Sequence, residues 1–201
     1  MSHRRALLFA CALPLCAALA ACDTDTLETG DWDVVIVGGT VVDGTGAAGY
    51  RADVAIVDDR IVRISADGLD PAGAGQVIDA GGMVVAPGFV DMHTHLNTID
   101  DHPGAHSHVA QGVTTALGGP DGGGPWPFGE SMAELEEMGV GMNVAYLVGH
   151  NTVRRTVMGL EDRAATPDEL ARMQGMIAQA MDEGAWGIST GLKYLPGAFS
   201  D

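Results

Sequence analysis

The chain has 201 residues and a formal net charge of −17, with 27 acidic side chains against 10 basic ones. So acidic a polypeptide offers no basic surface to a phosphate backbone, which excludes nucleic acid as a partner. Its 46% hydrophobic content supports a packed core and excludes a disordered chain.

The first element is an export signal. His3-Arg4-Arg5 precedes an uncharged apolar run from Ala6 to Ala21. The run is short for a membrane span and ends in small residues. It closes on Leu19-Ala20-Ala21-Cys22, a sequence similar to a bacterial lipobox. That similarity implies cleavage before Cys22, acylation of its thiol and a lipid anchor on the periplasmic or cell-surface side of a membrane. Residues 1–21 are thus predicted as a lipoprotein-type signal and 22–32 as a polar tether. Cleavage there would remove Cys11 and Cys16 and leave one cysteine, too few for an internal disulfide.

Short β-branched runs follow at Val34–Val37, Val41-Val42, Val54–Val57 and Ile61–Ile64. Gly38-Gly39 and Asp58-Asp59 read as hairpin turns between them, which predicts antiparallel sheet over residues 33–87. From Gly88 the pattern changes to strands alternating with helices, the rhythm of a parallel α/β barrel. The clearest helix begins at Thr166-Pro167-Asp168-Glu169, with Thr166 as cap, Pro167 in the first turn and Glu169 completing a capping box. Leu170, Met173, Ile177, Ala180 and Met181 recur at helical spacing to form its apolar face, and Gly184 ends it.

The strongest chemical signal is His93-Thr94-His95 at the end of the apolar run Met83–Met92. In an extended strand, residues i and i+2 point to the same face, so both imidazoles can reach one ion. Neutral imidazole is a common zinc ligand, and His93 and His95 are read as a metal pair. His150 closes a third strand (Ala145–Val148) and is a candidate for shaping a pocket, with Arg154 and Arg155 in the loop beyond it. His102, His106 and His108 read as surface residues, and Gly122-Gly123-Gly124 lacks the lysine of a phosphate loop.

Four segments carry a family resemblance: VIDAGGMVVAPGFVDMHTHL at 77–96, GVTTALGGPDGG at 112–123, VGHNTVRRTVMG at 148–159 and GAWGISTGLKYLPG at 184–197. Together they resemble the amidohydrolase superfamily, in its N-acyl-D-amino acid deacylase (D-aminoacylase) branch. The resemblance implies an α/β fold. Part of a small β-sandwich (33–87) would precede strands one to four of a (β/α)₈ TIM barrel (88–201). It implies a hydrolase with one or two zinc ions, which polarise the carbonyl and activate water to cleave the amide of an N-acyl-D-amino acid or similar small acyl compound.

The resemblance also gives residues their roles. His93 and His95 would hold the more buried ion, and a carboxylated Lys193 at the end of strand four would bridge to a second. Tyr194 would hydrogen-bond the substrate carboxylate. Asp121 stands where many D-aminoacylases carry a cysteine ligand, and it reads either as a carboxylate ligand or, with the balance on this side, as an ordinary turn residue. The family's catalytic aspartate would lie beyond Asp201, so the chain reads as the N-terminal part of an enzyme, inactive by itself. Two rival readings stand beside this one: a cyclic-amide hydrolase of hydantoinase or dihydroorotase type, and a truncated zinc-binding fragment without catalysis.

Overall fold

The computed structural model describes residues 28–200, so the export signal and Cys22 lie outside the described residues. The chain divides into two compact units, one ending at Ala86 and one beginning at Pro87. Among the described residues no helix is long and apolar enough to cross a membrane.

The first unit is one five-stranded sheet. Its strands are β1 (Val34–Val41), β2 (Tyr50–Val57), β3 (Arg60–Ser65), β4 (Gln76–Asp79) and β5 (Val84–Val85). The β1–β2 and β2–β3 pairs are antiparallel, but β4 and β5 both run parallel to β1. The sheet is therefore mixed, where the sequence predicted antiparallel pairing.

Asp58 (φ 52°) makes the expected β2–β3 turn. Gly38-Gly39 does not make a hairpin; it forms a bulge inside a single strand, with the register shifting between Ile36 and Gly39. Gly38 takes φ 73°, and its N–H donates to the Asp53 carboxylate at 2.7 Å, a partner no local pattern announces. Trp32, Val35, Ala55 and Leu69 form one core cluster, and Val41, Ala52 and Val54 another. Val54 and Ala55 are adjacent, so the sheet buries residues on both faces. Ile61, Val62 and Ile64 of β3 remain exposed.

The second unit alternates strands and helices: β6 (Phe89–Asp91), α1 (His106–Val109), β7 (Val113–Gly118), α2 (Phe128–Met138), β8 (Asn143–Tyr146), β9 (Val148–Gly149), α3 (His150–Met158), α4 (Pro167–Asp182) and β10 (Ile188–Ser189). β6, β7 and β8 form a parallel sheet in that order, and β9 pairs parallel with β10. The run Met83–Met92 is thus not one buried strand. Pro87 denies a ladder hydrogen bond and splits it, sending Val84-Val85 to the first sheet and Phe89–Asp91 to the second, where Phe89 and Val90 are exposed.

The predicted third strand is likewise broken at Leu147, whose N–H donates to the Gly118 carbonyl at 3.0 Å. His150 opens α3 rather than closing a strand. Arg154 and Arg155 belong to that helix, not to a loop. α4 carries the predicted cap, with Thr166 and Glu169 hydrogen-bonded reciprocally. Its inward face is Met173, Met176, Ile177 and Ala180, while Leu170 and Met181 are exposed. Period alone placed the stripe about one position wide of the true contact, because helix rotation is set by the neighbours it meets.

Candidate metal centre

Beyond β6 the chain turns before it reaches the histidines. The Asp91 carboxylate accepts the His93 N–H at 3.1 Å, closing a tight turn. The Thr94 hydroxyl, followed by the His93 amide, holds the Asp91 carboxyl below the usual carboxylate range. Thr94 is buried, and its N–H donates to the Leu117 carbonyl at 3.2 Å, fastening the segment to the end of β7. His93 and His95 therefore flank a buried threonine in a bend, not in the extended strand expected from their spacing. They still diverge little: their ring centroids lie 5.7 Å apart.

The loop after β7 supplies the third group. Asp121 takes φ 57°, between Gly119 at φ 75° and Gly122 at φ 79°. Asp tolerates this left-handed conformation better than most residues, and the flanking glycines adopt it without strain. Ser189 of β10 locks the loop: its buried hydroxyl accepts the Gly122 N–H at 3.0 Å and donates to the Gly119 carbonyl. The first amides of α3 finish the work, with Asn151 and Thr152 donating to the Gly122 carbonyl at 3.0 and 3.2 Å. Gly191 permits the approach, since a Cβ there would collide with the Asp121 carbonyl.

This backbone brings Asp121 Oδ2 to 3.3 Å from His93 Nε2 and 3.2 Å from His95 Nε2. All three ligand atoms lie within 4.8 Å of one another. Two ligands held on tetrahedral zinc by bonds of 2.0–2.2 Å would sit about 3.3 Å apart, which matches both Asp121–histidine separations. Two imidazoles and a carboxylate also form a donor set suited to a divalent transition metal. Both imidazoles are exposed, at 64% and 58%, which leaves an open side for a further ligand.

The other sequence candidates are placed elsewhere. Lys193 lies in the turn beyond β10, exposed, with no ion pair among the described residues. Strand β10 stops at Ser189, four residues before it. Tyr194 shares that turn and is more than half exposed; its backbone is engaged, the N–H donating to the Gly191 carbonyl at 2.9 Å and the carbonyl accepting from Ala198 N–H and Asn151 Nδ2. His150 Nε2 lies 3.3 Å from Ser200 Oγ, and its buried Nδ1 has no partner among the described residues. Burial, and after it the Arg154 charge, pushes the His150 imidazole below its usual pKa. Arg154 itself is buried and donates to the carbonyls of Glu161, Arg163 and Phe199, a clamp on the loops around α3.

Sequence reading missed the cleft beside the triad. It encloses about 310 Å³ and is lined by His95, Asp100, Glu134 and Tyr146 among others. Tyr146 ends β8, and burial, then the Asp100 charge, pushes its phenol up to about 12. The only available signal was its position at a strand end, which a core tyrosine shares. A second recess, about 260 Å³, joins His95 to His102, His106 and His108; the first two of these three are exposed as expected.

Comparison with known proteins gives this geometry its setting. The profile of the amidohydrolase family matches residues 76–200. The chain is 36% identical over 195 residues to the D-aminoacylase of Alcaligenes xylosoxydans xylosoxydans, covering 83% of this chain and 39% of that protein. It is 38% identical over 194 residues to the N-acyl-D-glutamate deacylase of the same organism, covering 84% and 39%. The crystal structure of the N-acyl-D-glutamate deacylase from Bordetella bronchiseptica, complexed with zinc and a phosphonate inhibitor, superimposes with a TM-score of 0.77 at 34% identity. That alignment covers 86% of this chain and 41% of the deacylase. The chain thus spans about two fifths of the length of the relatives it matches.

Proposed function

Because the chain belongs to the amidohydrolase family, we propose that it forms the metal-binding part of a hydrolase cleaving the amide bond of an N-acyl-D-amino acid or a similar small acyl compound. The observation that carries this reading is the convergence of His93 Nε2, His95 Nε2 and Asp121 Oδ2. These three side chains would hold a zinc ion. When bound, the ion supplies Lewis acidity towards the amide carbonyl and towards water. The chain's own residues fix the ligands. Asp91 and Thr94 set the turn that presents the imidazoles, and Ser189 sets the loop that presents the carboxylate.

The finer architecture is part of the proposal. The parallel order β6–β7–β8, with β9–β10 and their intervening helices, is what strands one to four of a (β/α)₈ barrel would give. The exposed Ile61, Val62 and Ile64 are the kind of surface a second sheet of a β-sandwich would cover. Lys193, carboxylated, would bridge to a second ion, and Tyr194 would meet the substrate carboxylate; His150 would support the same rim. Cys22 would carry the lipid of an exported protein. The relatives matched over 83–84% of the chain are deacylases, which favours this substrate class over cyclic amides.

The test is made on the whole native polypeptide that carries this chain. Metal analysis should find zinc, and N-acetyl-D-amino acids should be hydrolysed with release of the free amine. His93→Ala with His95→Ala should abolish both. Full zinc content and turnover in that double variant would end the proposal.

A further inference from the structure

One buried amide joins two strand-end loops of the second unit. Asn151, in the first turn of α3, is only 6% exposed. Its backbone N–H donates to the Gly122 carbonyl at 3.0 Å, next to Asp121. Its side-chain Nδ2 reaches the other loop, donating to the carbonyls of Gly191 at 3.1 Å and Tyr194 at 3.4 Å. The two loops already touch, since a Cβ on Gly191 would collide with the Asp121 carbonyl. One residue thus grips both the loop that presents the carboxylate and the turn that carries Lys193 and Tyr194.

The carboxamide is a poor choice for stability alone. Its Oδ1 is buried against Gly122 and Gly197, where a Cβ on either would collide with it, and has no partner among the described residues. A buried acceptor left unpaired opposes folding, and an apolar side chain of similar size would not carry that penalty. The amide cannot be turned round to relieve it, because the oxygen would then face two carbonyl oxygens. What the side chain supplies instead is the pair of donor bonds, which hold carbonyls on both sides of Lys193. Departures of this kind from the stabilising choice concentrate at functional sites.

We infer that Asn151 is a positioning residue for substrate: its side chain keeps the Lys193–Tyr194 turn in register with the Asp121 loop, so that Tyr194 stands at a set distance from the metal triad. The inference rests on the deacylase reading for the role of Tyr194, and deepens it. The link from Asn151 to Gly122 runs through the backbone, so a side-chain change at this position frees the turn and leaves the Asp121 loop held. Substrate binding and metal binding therefore separate.

The experiment uses the whole native protein with its metal. Asn151→Leu removes the donor and the unpaired acceptor together, and Asn151→Ala is the second variant in case leucine overfills the space. Zinc content and urea midpoints show that each one folds. With N-acetyl-D-amino acids, KM should rise about ten-fold while kcat stays within about three-fold. Tyr194→Phe should raise KM comparably, and Asn151→Leu/Tyr194→Phe should be no worse than Tyr194→Phe alone, because both act through one contact. Hydrogen exchange gives a readout independent of turnover. The Tyr194 and Ala198 amides, which close the turn, should exchange about ten-fold faster or more in Asn151→Leu, with the Gly122 and Gly123 amides still protected.

Unchanged KM in the Asn151 variants or in Tyr194→Phe, a kcat that falls in step with zinc or stability, or full additivity in the double variant would overturn the positioning role and leave deacylation standing. No turnover by the unaltered protein, with the turn loosened in Asn151→Leu, would overturn deacylation and support the coupling of the two loops. No turnover and unchanged exchange would remove both.

Discussion

Two strand-end loops of the second unit begin alike and finish differently. The loop after β7 runs through Gly119, Asp121 and Gly122 and is tied down by Ser189, Asn151 and Thr152. The turn after β10 leaves Leu192, Lys193, Tyr194 and Leu195 exposed, tied mainly through the backbone carbonyls of Gly191, Tyr194 and Leu195. In the first, hydrogen bonds from two separate elements, β10 and α3, aim a carboxylate at two imidazoles. In the second, the backbone is held while the side chains are not aimed at anything. A position at a strand end therefore makes a residue available for chemistry; anchoring from neighbouring elements fixes where its side chain is aimed.

The comparison is sharpened most by removing the aimed group itself. Asp121→Asn keeps the turn and the left-handed conformation but replaces an anionic donor with a weak neutral one. Zinc affinity measured by competition with a chromophoric chelator should fall about 10- to 100-fold, the scale on which even groups supporting a ligand act. Unchanged affinity would mean that the carboxylate only shapes the loop.

Breaking the anchor is the next largest effect. Ser189→Ala strips the buried partner from both the Gly122 N–H and the Gly119 carbonyl. Leaving such groups unpaired costs about 1–3 kcal/mol each, so chemical denaturation should show a loss of that order. Zinc affinity should fall with it, although Ser189 does not belong to the triad. A stability loss with full zinc affinity would show that the loop holds its course without the serine.

A cap far from both loops serves as the control. Thr166→Ala removes the acceptor for the Glu169 N–H and half of the capping box. About 1 kcal/mol of stability should be lost, with zinc affinity retained. A matching fall in zinc affinity would show that global stability, not local anchoring, governs the site.

The same contrast explains what the sequence made legible. The α4 cap was readable because all its parts lie within four residues, from Thr166 to Glu169. His93 and His95 were readable as a candidate pair because the two imidazoles stand one residue apart. Asp121 was readable as either a carboxylate ligand or a turn residue, with the balance on the turn, since its meeting with the histidines depends on Ser189, 68 positions further on. The Gly38 bulge depends in the same way on Asp53, and the Tyr146 cleft on Asp100 and Glu134. Local chemistry shows in a sequence; convergence across strands does not, because register and loop course are fixed by tertiary hydrogen bonds.

The smallest effect is a pH dependence on the rim. Burial, and next the Arg154 charge, favour the neutral His150 imidazole in the folded chain, while its Nδ1 has no partner among the described residues. In the unfolded chain a histidine takes up its proton near pH 6.5. Below that value the unfolded state binds more protons than the folded one. Stability is therefore present above about pH 6.5 and is lost as pH falls towards the depressed folded-state pKa. Urea midpoints compared at pH 7.5 and 5.5 should show this loss, and His150→Gln should flatten it, because an amide does not titrate across that window. An equal slope in the variant would assign the pH dependence to other groups and leave His150 a purely packed residue beside Ser200.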